Sequence, residues 1–533
     1  MDVAGLALGG SSLAIQLFSA CTSLYQTVQS AIGQDADFAG LVCKLEIEEQ
    51  RFHLWGNAAK LQSGVDVSSR HLPTVLRTLE CIERLLSGRQ KLVNRNELSQ
   101  SINGHAHLPE GVGEAAESVI RRLRWTISDK RHFETLVADL KGYNDSLNAL
   151  LYEGQRLSVI ESFKELSIKV LGTDNPEKLN ILRQSTWNTY EDICSTAALK
   201  CLALQMEHAL TKSNSKEPPK SLEVIPQLTL PWDRQPLMRR ETSLIQRHPH
   251  LVEWKELPSE GSDKRDRVLR RLQYLVAFLS QAPKPQNLRV LALVGTAFSP
   301  DSKKLGLVSS FPEDTGSSDP TSLQDYLTSS SRQHRLPTLN DRITLALRLA
   351  NTLLVLHTSG WMHKAIAPHN ILFFHSDDGN EDSDPRSGIL QSPFLAGFEY
   401  SREDGSMDQE GAYSETVTTG SDMEFYRHPS SRGSQRSKFR KQYDIYSLGF
   451  VLLDIALWKS SASLCRNTSP KEIRSVVVDR YLRGDIAYRA GSVYQEVVET
   501  CLMGNFGERG SEKNWLETQF LRRVVQRLET CKV

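Results

Sequence analysis

Apolar side chains recur every three or four residues along most of the first 210 positions, the spacing that places them on one face of a helix. The first helix would carry Leu13, Leu17, Leu24 and Val28 on one stripe. Further helices are predicted over about 37–61, 72–92, 113–151, 157–170 and 176–210. Stripes of this kind become buried by packing on one another, so the pattern predicts an all-α helical bundle.

The pattern changes after the polar, proline-bearing segment SNSKEPPKS at 213–221. Short runs typical of strands follow it, namely SLIQRHP, LVEWKEL, RVLALVGTAF and KLGLVSSF, with one helix predicted over about 264–281. Beyond residue 337 the chain is mostly helical again, and strands followed by a helix-rich part indicate an α+β domain. We therefore predict a multi-domain chain with a helical bundle (1–212), a linker (213–222) and an α+β domain (223–533).

Charge and cysteine content narrow the classes of function. Lysine and arginine together number 64, as do aspartate and glutamate, so the formal net charge is zero. A chain without a basic excess lacks the long-range field that favours nucleic acid, and we expect no nucleic-acid partner. The eight cysteines form neither a CxxC pair nor a zinc-like spacing with histidine. We therefore expect reduced thiols, no metal site and a cytoplasmic protein.

The most unusual local feature is a stretch from Val3 to Gln34 that contains no charged residue. About 20 helical residues cross a hydrocarbon core, so its length suffices, but its glutamines and hydroxyls make it less apolar than a permanent membrane helix. It would suit a helix that is buried by default and inserts on assembly; the alternative is a core helix that never moves. The candidate inserting side chains are Leu6, Leu8, Leu13, Leu17, Leu24 and Val28.

The segment HTSGWMHKAIAPHNILFF at 357–374 resembles the catalytic loop of protein kinases. The resemblance places His363, Pro368 and Asn370 at scaffold and metal-holding positions. It places Ala365 where the family has its catalytic aspartate and Ala367 where it has the lysine that assists phosphoryl transfer.

Two later segments extend the kinase resemblance in the family's order. FLAGFEYSR at 394–402 lies where kinases have DFG, with Gly397 at the metal-binding aspartate and Phe398 matching. YDIYSLGFVLLDIALW resembles the helix that carries DxWSxG, with Asp444 and Gly449 retained, and Pro429 matches the proline of APE. Together these motifs resemble a bilobal protein-kinase-like domain over about 225–530.

The strand-rich part is a weaker match. LVEWKEL would be the strand that places Lys255 at the ATP site, although an ordinary strand-edge lysine explains it equally well. The helix that should supply its glutamate partner, SDKRDRVLRRLQYLVAFLSQ, has no glutamate, and PLMRRETSLIQRHPH has no glycine where a phosphate-covering loop is expected.

The resemblance therefore implies a pseudokinase and not an enzyme. Gly397 cannot hold magnesium and Ala365 cannot accept a proton, so we expect no cofactor beyond vestigial ATP binding at Lys255 and Asn370. The competing hypothesis is an atypical active kinase that recruits Glu399 or Asp404.

Two polar segments of this domain have simple alternatives. The acidic segment SDDGNEDSDP at 376–385 lacks the glycine and glutamate of a calcium-binding EF-hand loop, which favours a solvated surface loop. The Ser/Thr-rich stretch 400–421 lies where kinases have an activation loop, and either a phosphorylated switch or a plain disordered loop would fit it.

The bundle resembles the HeLo domain of fungal prion-inhibition and cell-death proteins. The apolar start MDVAGLALGGSSLAIQLFSACTSLYQTV, the segment LEIEEQRFHLWG and residues 128–151 carry this resemblance. It implies an effector of programmed cell death or heterokaryon incompatibility, restrained by the pseudokinase, that self-associates after a signal from a trigger protein. The protein would then move from the cytoplasm to the plasma membrane and permeabilise the lipid bilayer. The alternative is a soluble signalling scaffold whose domains bind only proteins.

Overall fold

A computed structural model describes most of the chain and divides it into two compact units. The described residues are 3–32, 38–61, 68, 70–87, 130–211, 227–230, 238–329, 336–375, 389–398, 401–403, 425–432, 437–465, 468, 476–477 and 484–531. Only the backbone is described for 3–9, 31–32, 208–211 and 402–403. One unit comprises 1–167 and 181–190, and the other comprises 168–180 and 191–533.

The N-terminal unit is helical, as the apolar periodicity predicts. Its complete helices are α1 (Val3–Ile32), α2 (Ala39–Ala58), α3 (Leu72–Leu86) and α4 (Lys130–Ala149). Helix α5 (Glu153–Val170) begins in this unit, and α6 (Pro176–Thr186) ends in it. The predicted helices at 37–61 and 72–92 correspond to α2 and α3, while residues 113–129 of the predicted fourth helix lie outside the described residues.

The core of this unit combines stacked aromatic rings with a buried acidic group. The rings of Phe18 and Phe52 lie 4.8 Å apart, and Trp55 packs beside them. The Glu48 carboxylate is buried and accepts hydrogen bonds from Arg51 at 2.9 Å and from the Tyr190 hydroxyl at 2.5 Å. A buried charge is tolerated only when it is paired and hydrogen-bonded, and these partners satisfy that condition.

Helix α7 (Glu191–Thr211) lies in the C-terminal unit, after residues 168–180, and its assignment differs from that in the sequence analysis. The sequence analysis placed this helix in the bundle, whereas its Leu199, Ala203 and Met206 belong to the main core of the second unit. All positions from Ile193 to Lys200 are buried, so the helix has no single apolar stripe, and a helix of this kind packs inside a core.

A four-stranded antiparallel sheet follows. Its strands are β1 (Arg240–Ile245), β2 (His248–Glu256), β3 (Leu293–Phe298) and β4 (Lys304–Ser310), in the order β1-β2-β4-β3. Helix α8 (Asp263–Ser280) lies between β2 and β3 in the chain, and the Ser262 hydroxyl caps its start by accepting from the backbone N–H of Arg265 at 3.3 Å. The helix predicted here and the strands predicted for LVEWKEL, RVLALVGTAF and KLGLVSSF are confirmed, whereas SLIQRHP covers the end of β1, a turn and the start of β2.

The rest of the unit is mainly helical and contains several short strands. Its described helices are α9 (Leu323–Thr328), α10 (Leu339–Thr358), α11 (Lys441–Leu457), α12 (Ser461–Leu464), α13 (Asp485–Ala490), α14 (Ser492–Met503), α15 (Trp515–Phe520) and α16 (Gln526–Thr530). Its described strands are β5 (Thr321–Ser322), β6 (Trp361–Met362), β7 (Ile371–Phe373), β8 (Phe394–Leu395) and β9 (Arg402–Glu403). A helical N-terminal part followed by a mixed α+β part is therefore confirmed.

Candidate functional site

The loop that follows β6 is held by one buried carboxylate. Asp444, in the first turn of α11, accepts the backbone N–H groups of His363 and Lys364, each at 2.8 Å. Lys364 has φ 71°, a left-handed backbone conformation that residues other than glycine rarely adopt. Two charge-assisted hydrogen bonds to neighbouring backbone groups stabilise this conformation, as is typical of strained backbone that is held by its surroundings.

His363 connects this loop to the segment around β8. Its Nδ1 accepts the backbone N–H of Ala365 at 3.2 Å, so the ring proton is on Nε2, which donates to the Ala396 carbonyl at 3.1 Å. Complete burial lowers the pKa of His363 to about 4, so the ring is neutral at physiological pH. The ring also meets the edge of Phe398 with 4.5 Å between centroids.

Asn370 is buried at the end of the same loop and uses every polar group it has. Its Nδ2 donates to the Ala365 carbonyl at 2.7 Å, and its backbone carbonyl accepts the N–H of Ala396 at 2.8 Å. Its Oδ1 accepts from the Arg240 guanidinium at 3.1 Å. The amide oxygen that the kinase resemblance assigns to a metal ion is thus hydrogen-bonded to a protein cation.

Arg240 and Glu253 face each other in register on β1 and β2. Two nitrogens of the guanidinium lie 2.6 Å and 3.1 Å from Glu253 Oε1, and a third donates to the His369 carbonyl at 3.0 Å. The Glu253 carboxylate also accepts the backbone N–H of Gly397, at 3.0 Å and 3.3 Å from its two oxygens. We call Arg240, Glu253, Asn370 and Gly397 the cleft network.

The chemistry of the cleft network is that of a cross-link. Its one positive and one negative charge neutralise each other, and each is also hydrogen-bonded to backbone groups. Ala365 and Ala367 are buried beside it and carry only methyl groups, which transfer no proton. Among the residues that the structure describes, no group of three histidine, cysteine, aspartate or glutamate side chains is arranged to hold a metal ion.

The structure brings together most of the residues that the sequence singled out. His363, Ala365, Asn370, Gly397 and Phe398 share hydrogen bonds or contacts, as described above. Lys255 is buried on β2, two positions beyond Glu253 and on the same face of the strand. Pro368 begins a short 3₁₀ turn that ends at Asn370, Pro429 begins another such turn, and Gly449 packs in α11 where an added Cβ would lie 2.9 Å from Cys501.

The sequence analysis missed Arg240 and Glu253. Glu253 lies between two apolar residues. Successive side chains of a strand point to opposite faces, so Glu253 and Lys255 lie on the same face. That alternation was the available signal for Glu253. Arg240 had no such signal, because its partners His369 and Asn370 are more than a hundred residues away in the chain.

In the N-terminal unit, the apolar stripe predicted for α1 is only partly confirmed. Leu13 is 41% exposed, Leu17 and Leu24 are partly buried, and of the predicted stripe only Val28 is fully buried. The side chains of Leu6 and Leu8 lie outside the described residues. The buried stripe consists of Ala14, Phe18, Cys21, Tyr25 and Val28. Its aromatic members fill the space against α2, which turns the leucines toward the edge of the contact.

The outer face of α1 is polar without being charged. The hydroxyls of Ser23, Thr27 and Ser30 each donate to the backbone carbonyl four residues earlier, at 2.8–3.2 Å. A hydroxyl that already donates a hydrogen bond within its own helix costs less free energy to remove from water than a hydroxyl without such a bond. A search of the described residues finds no helix that combines the length and the hydropathy required to cross a membrane.

Comparisons with known families match both units. A model of the HeLo family, described as prion-inhibition and propagation, matches residues 5–165. A second model, described as a domain of unknown function (DUF7580), matches residues 243–529. The HeLo match ends within two residues of the first segment of the N-terminal unit, at 167, so the HeLo domain predicted from the sequence is confirmed. No curated protein matches the chain.

Proposed function

The chain belongs to the family defined by the domain of unknown function DUF7580 and carries a HeLo domain, and from this premise we propose that it is a regulated cell-death effector without catalytic activity. The HeLo unit would act on membranes after self-association, and the C-terminal unit would restrain it until a trigger protein binds. The observation that carries the proposal is the charge-free helix α1, with Leu13 and Ile15 about 40% exposed on the surface of a HeLo unit.

The surface of α1 supports a membrane role. A charged side chain at the centre of a membrane helix costs about 2.5–3.5 kcal/mol, and α1 has none. Its exposed hydroxyls are bonded to the helix itself, which lowers the cost of moving this face into lipid or against a second helix. Together these features favour a helix that exchanges its bundle contacts for membrane contacts when the protein assembles.

We further propose that the C-terminal unit is a kinase-like bilobal domain that transfers no phosphate. A four-stranded antiparallel sheet with one helix between its second and third strands, followed by a helical part, supports the kinase-like arrangement. The cleft network argues against catalysis, since Arg240 holds Asn370 Oδ1 and Gly397 has no side chain to bind magnesium. A divalent cation at Asn370 would have to displace the guanidinium.

The proposed absence of phosphate transfer is tested with the full chain. We expect magnesium and ATP together to leave its thermal midpoint unchanged, and no transfer of radiolabelled phosphate to itself or to a generic substrate. Phosphate transfer that the Lys255→Ala variant abolishes would revive the hypothesis of an atypical active kinase.

The membrane part is tested by dye release from liposomes that contain anionic lipid. We would compare the full chain with residues 1–190, a fragment that holds the whole N-terminal unit and omits α7, whose apolar surface belongs to the other unit. Circular dichroism must first show that the fragment is helical. Leakage by the fragment but not by the full chain is the expected result.

Two matched variants distinguish membrane insertion of α1 from nonspecific binding to the liposomes. Leu13→Lys adds a charge to an exposed position of α1, whereas Ser146→Lys adds the same charge to an exposed position of α4. We expect the first to reduce leakage several-fold and the second to leave it unchanged. If the folded fragment and the full chain both leave the liposomes intact, the proposal fails and the soluble signalling scaffold becomes the better hypothesis.

A further inference from the structure

Arg289 lies in the segment between α8 and β3, and its backbone is fixed on two sides. Its N–H donates to the hydroxyl of Thr352 in α10 at 3.3 Å, and its carbonyl accepts the N–H of Leu395 in β8 at 2.8 Å. The guanidinium carbon lies 4.8 Å from the centre of the Phe394 ring, in a cation–π contact. Backbone and ring together fix where the guanidinium lies, and a binding site needs this kind of preorganisation.

The positive charge of Arg289 has no acceptor in the part of the chain that the structure describes. Its Nε is buried without a hydrogen-bond partner, and no described carboxylate pairs with its guanidinium. Other arginines with little exposure are bonded: Arg240 pairs with Glu253 at 2.6 Å, and Arg265 donates to the Ser302 carbonyl at 2.8 Å. A partly buried cation without an acceptor is a feature of ligand sites.

A second arginine stands beside the first. The Thr352 hydroxyl that accepts the N–H of Arg289 also lies 2.9 Å from the carbonyl oxygen of Arg348, one turn earlier in α10, so the two arginine backbones meet at one hydroxyl. The side chain of Arg348 is exposed. Burial and, after it, the charge of Arg348 lower the pKa of Arg289 from its ordinary value. The two like charges repel each other, and an anion bound between them would remove that repulsion.

A phosphate group matches the chemistry of two adjacent guanidiniums. The planar fork of arginine donates two parallel N–H bonds to phosphate oxygens, and two arginines neutralise the double charge of a phosphate monoester. A carboxylate carries one charge and would neutralise only one of them. We propose that Arg289 and Arg348 form a binding site for a phosphate group, supplied by a phosphorylated side chain or by free phosphate. Neither arginine belongs to the cleft network or enters the proposed function, so the site is tested by itself.

The first test is isothermal titration calorimetry of the full chain at constant ionic strength, since salt screens exposed charges. The two probes are inorganic phosphate and a peptide with one phosphoserine flanked by glycines, and the unphosphorylated peptide is the control. We expect a phosphate-bearing probe to bind and the control peptide not to bind. Tighter binding of the phosphopeptide identifies a phosphorylated side chain as the source, and equal or tighter binding of inorganic phosphate identifies free phosphate. If neither probe binds at millimolar concentration, or if the control peptide binds as well as the phosphopeptide, the proposal is overturned.

The second test assigns the binding to the two arginines. Arg348→Gln removes an exposed charge and should weaken binding at least about tenfold, and Arg289→Lys keeps the charge but lacks the planar fork, so it should weaken binding as well. Arg509→Gln removes an exposed arginine elsewhere in the same unit and should bind as wild type does. Thermal midpoints without phosphate control for folding. Wild-type affinity in folded Arg348→Gln and Arg289→Lys would overturn the proposal, because the phosphate would then bind elsewhere.

Discussion

An added Cβ at Gly397 would lie 2.4 Å from the side-chain amide of Asn370, closer than real carbon contacts allow. The same residue has φ +85°, in the region where only glycine is unstrained. Its backbone N–H is bonded to Glu253, so the residue has little freedom to move away. The cleft network therefore requires a glycine at this position.

We predict that Gly397→Ala strongly destabilises the C-terminal unit. The left-handed backbone should cost about 1–2 kcal/mol with a side chain present, and the overlap with Asn370 should add about 1–3 kcal/mol. Gly261→Ala is the matched control, because Gly261 also has a positive φ of +72° but has open space around its Cβ position. Scanning calorimetry of the two full-chain variants measures the difference.

The aspartate variant sharpens this comparison. Gly397→Asp introduces the residue that the kinase resemblance places here as a magnesium ligand, yet we expect it to lower the thermal midpoint at least as much as alanine does. A stable Gly397→Asp protein that gains magnesium-dependent ATP binding would contradict the structural role that we assign to this glycine.

A second prediction concerns the Arg240–Glu253 pair. Among the described residues, Arg240→Met leaves the N–H of Gly397 as the remaining donor to the mostly buried Glu253 carboxylate. The substitution also removes the hydrogen bonds to the His369 carbonyl and to Asn370 Oδ1. Because both side chains keep some exposure, we expect a loss of about 2 kcal/mol, less than for a fully buried pair. Urea unfolding of the full chain, followed by tryptophan fluorescence, provides the measurement.

The double variant Arg240→Met/Glu253→Gln is the control for this prediction. The neutral amide oxygen of glutamine still accepts the N–H of Gly397 but carries no uncompensated charge. It should recover part of the stability lost in the single variant. A double variant that is less stable than Arg240→Met would show that the charge on Glu253 is not the source of the loss.

Part of the cleft network and its surroundings could be predicted from the sequence and part could not. Local motifs identified His363, Asn370 and Asp444 as scaffold residues, because their spacing along the chain reflects the geometry of one loop and one helix. Arg240 acts through partners that are remote in the chain, so no local pattern reports it. Sequence-based reasoning predicted that Ala365 and Gly397 replace catalytic groups of the kinase family, but it gave no indication of the Arg240–Glu253 pair.

The strands and the first helix show two further limits of sequence patterns. The run SLIQRHP is divided by a tight turn in which Gln246 and Arg247 have φ 51° and 69°, values usually marked by glycine or asparagine. In α1, several apolar registers fit the sequence nearly equally well. The aromatic rings of Phe18 and Tyr25 decide the register by packing on α2, and that contact depends on another helix.

A third prediction concerns pH. Burial raises the pKa of Asp454 to about 7, although Tyr426 and Ser461 donate hydrogen bonds to it. Between pH 4 and 7 the folded protein keeps this proton and the unfolded chain releases it, so the contribution of Asp454 to stability falls as pH rises. His363, with its pKa lowered to about 4, contributes in the opposite sense: stability falls as pH drops from about 6.5 to 4.

Asp454→Asn should therefore gain stability relative to wild type as pH rises from 5 to 7, by at most about 1.4 kcal/mol per pH unit. Urea unfolding at several pH values gives the difference curve. The Tyr426→Phe variant removes one donor to the carboxylate and should move the transition of the wild-type curve to higher pH. Parallel stability curves for wild type and Asp454→Asn would exclude a raised pKa at this site.

The packing of α1 on α2 provides a fourth prediction, which joins stability to the proposed function. An added Cβ at Gly56 in α2 would lie 2.3–2.4 Å from two ring atoms of Phe18 in α1, so Gly56→Ala must push this ring away. Overpacking of this kind typically costs about 1–3 kcal/mol. Gly142→Ala in α4 is the matched control, because its Cβ meets no atom within 4 Å and alanine in a helix should stabilise it by about 0.4–1 kcal/mol.

If the contact between α1 and α2 restrains the protein, full-chain Gly56→Ala should release dye from anionic liposomes at lower concentrations than wild type, and Gly142→Ala should not. A Gly56→Ala protein with a lowered thermal midpoint but wild-type leakage would place the restraint elsewhere than between these two helices.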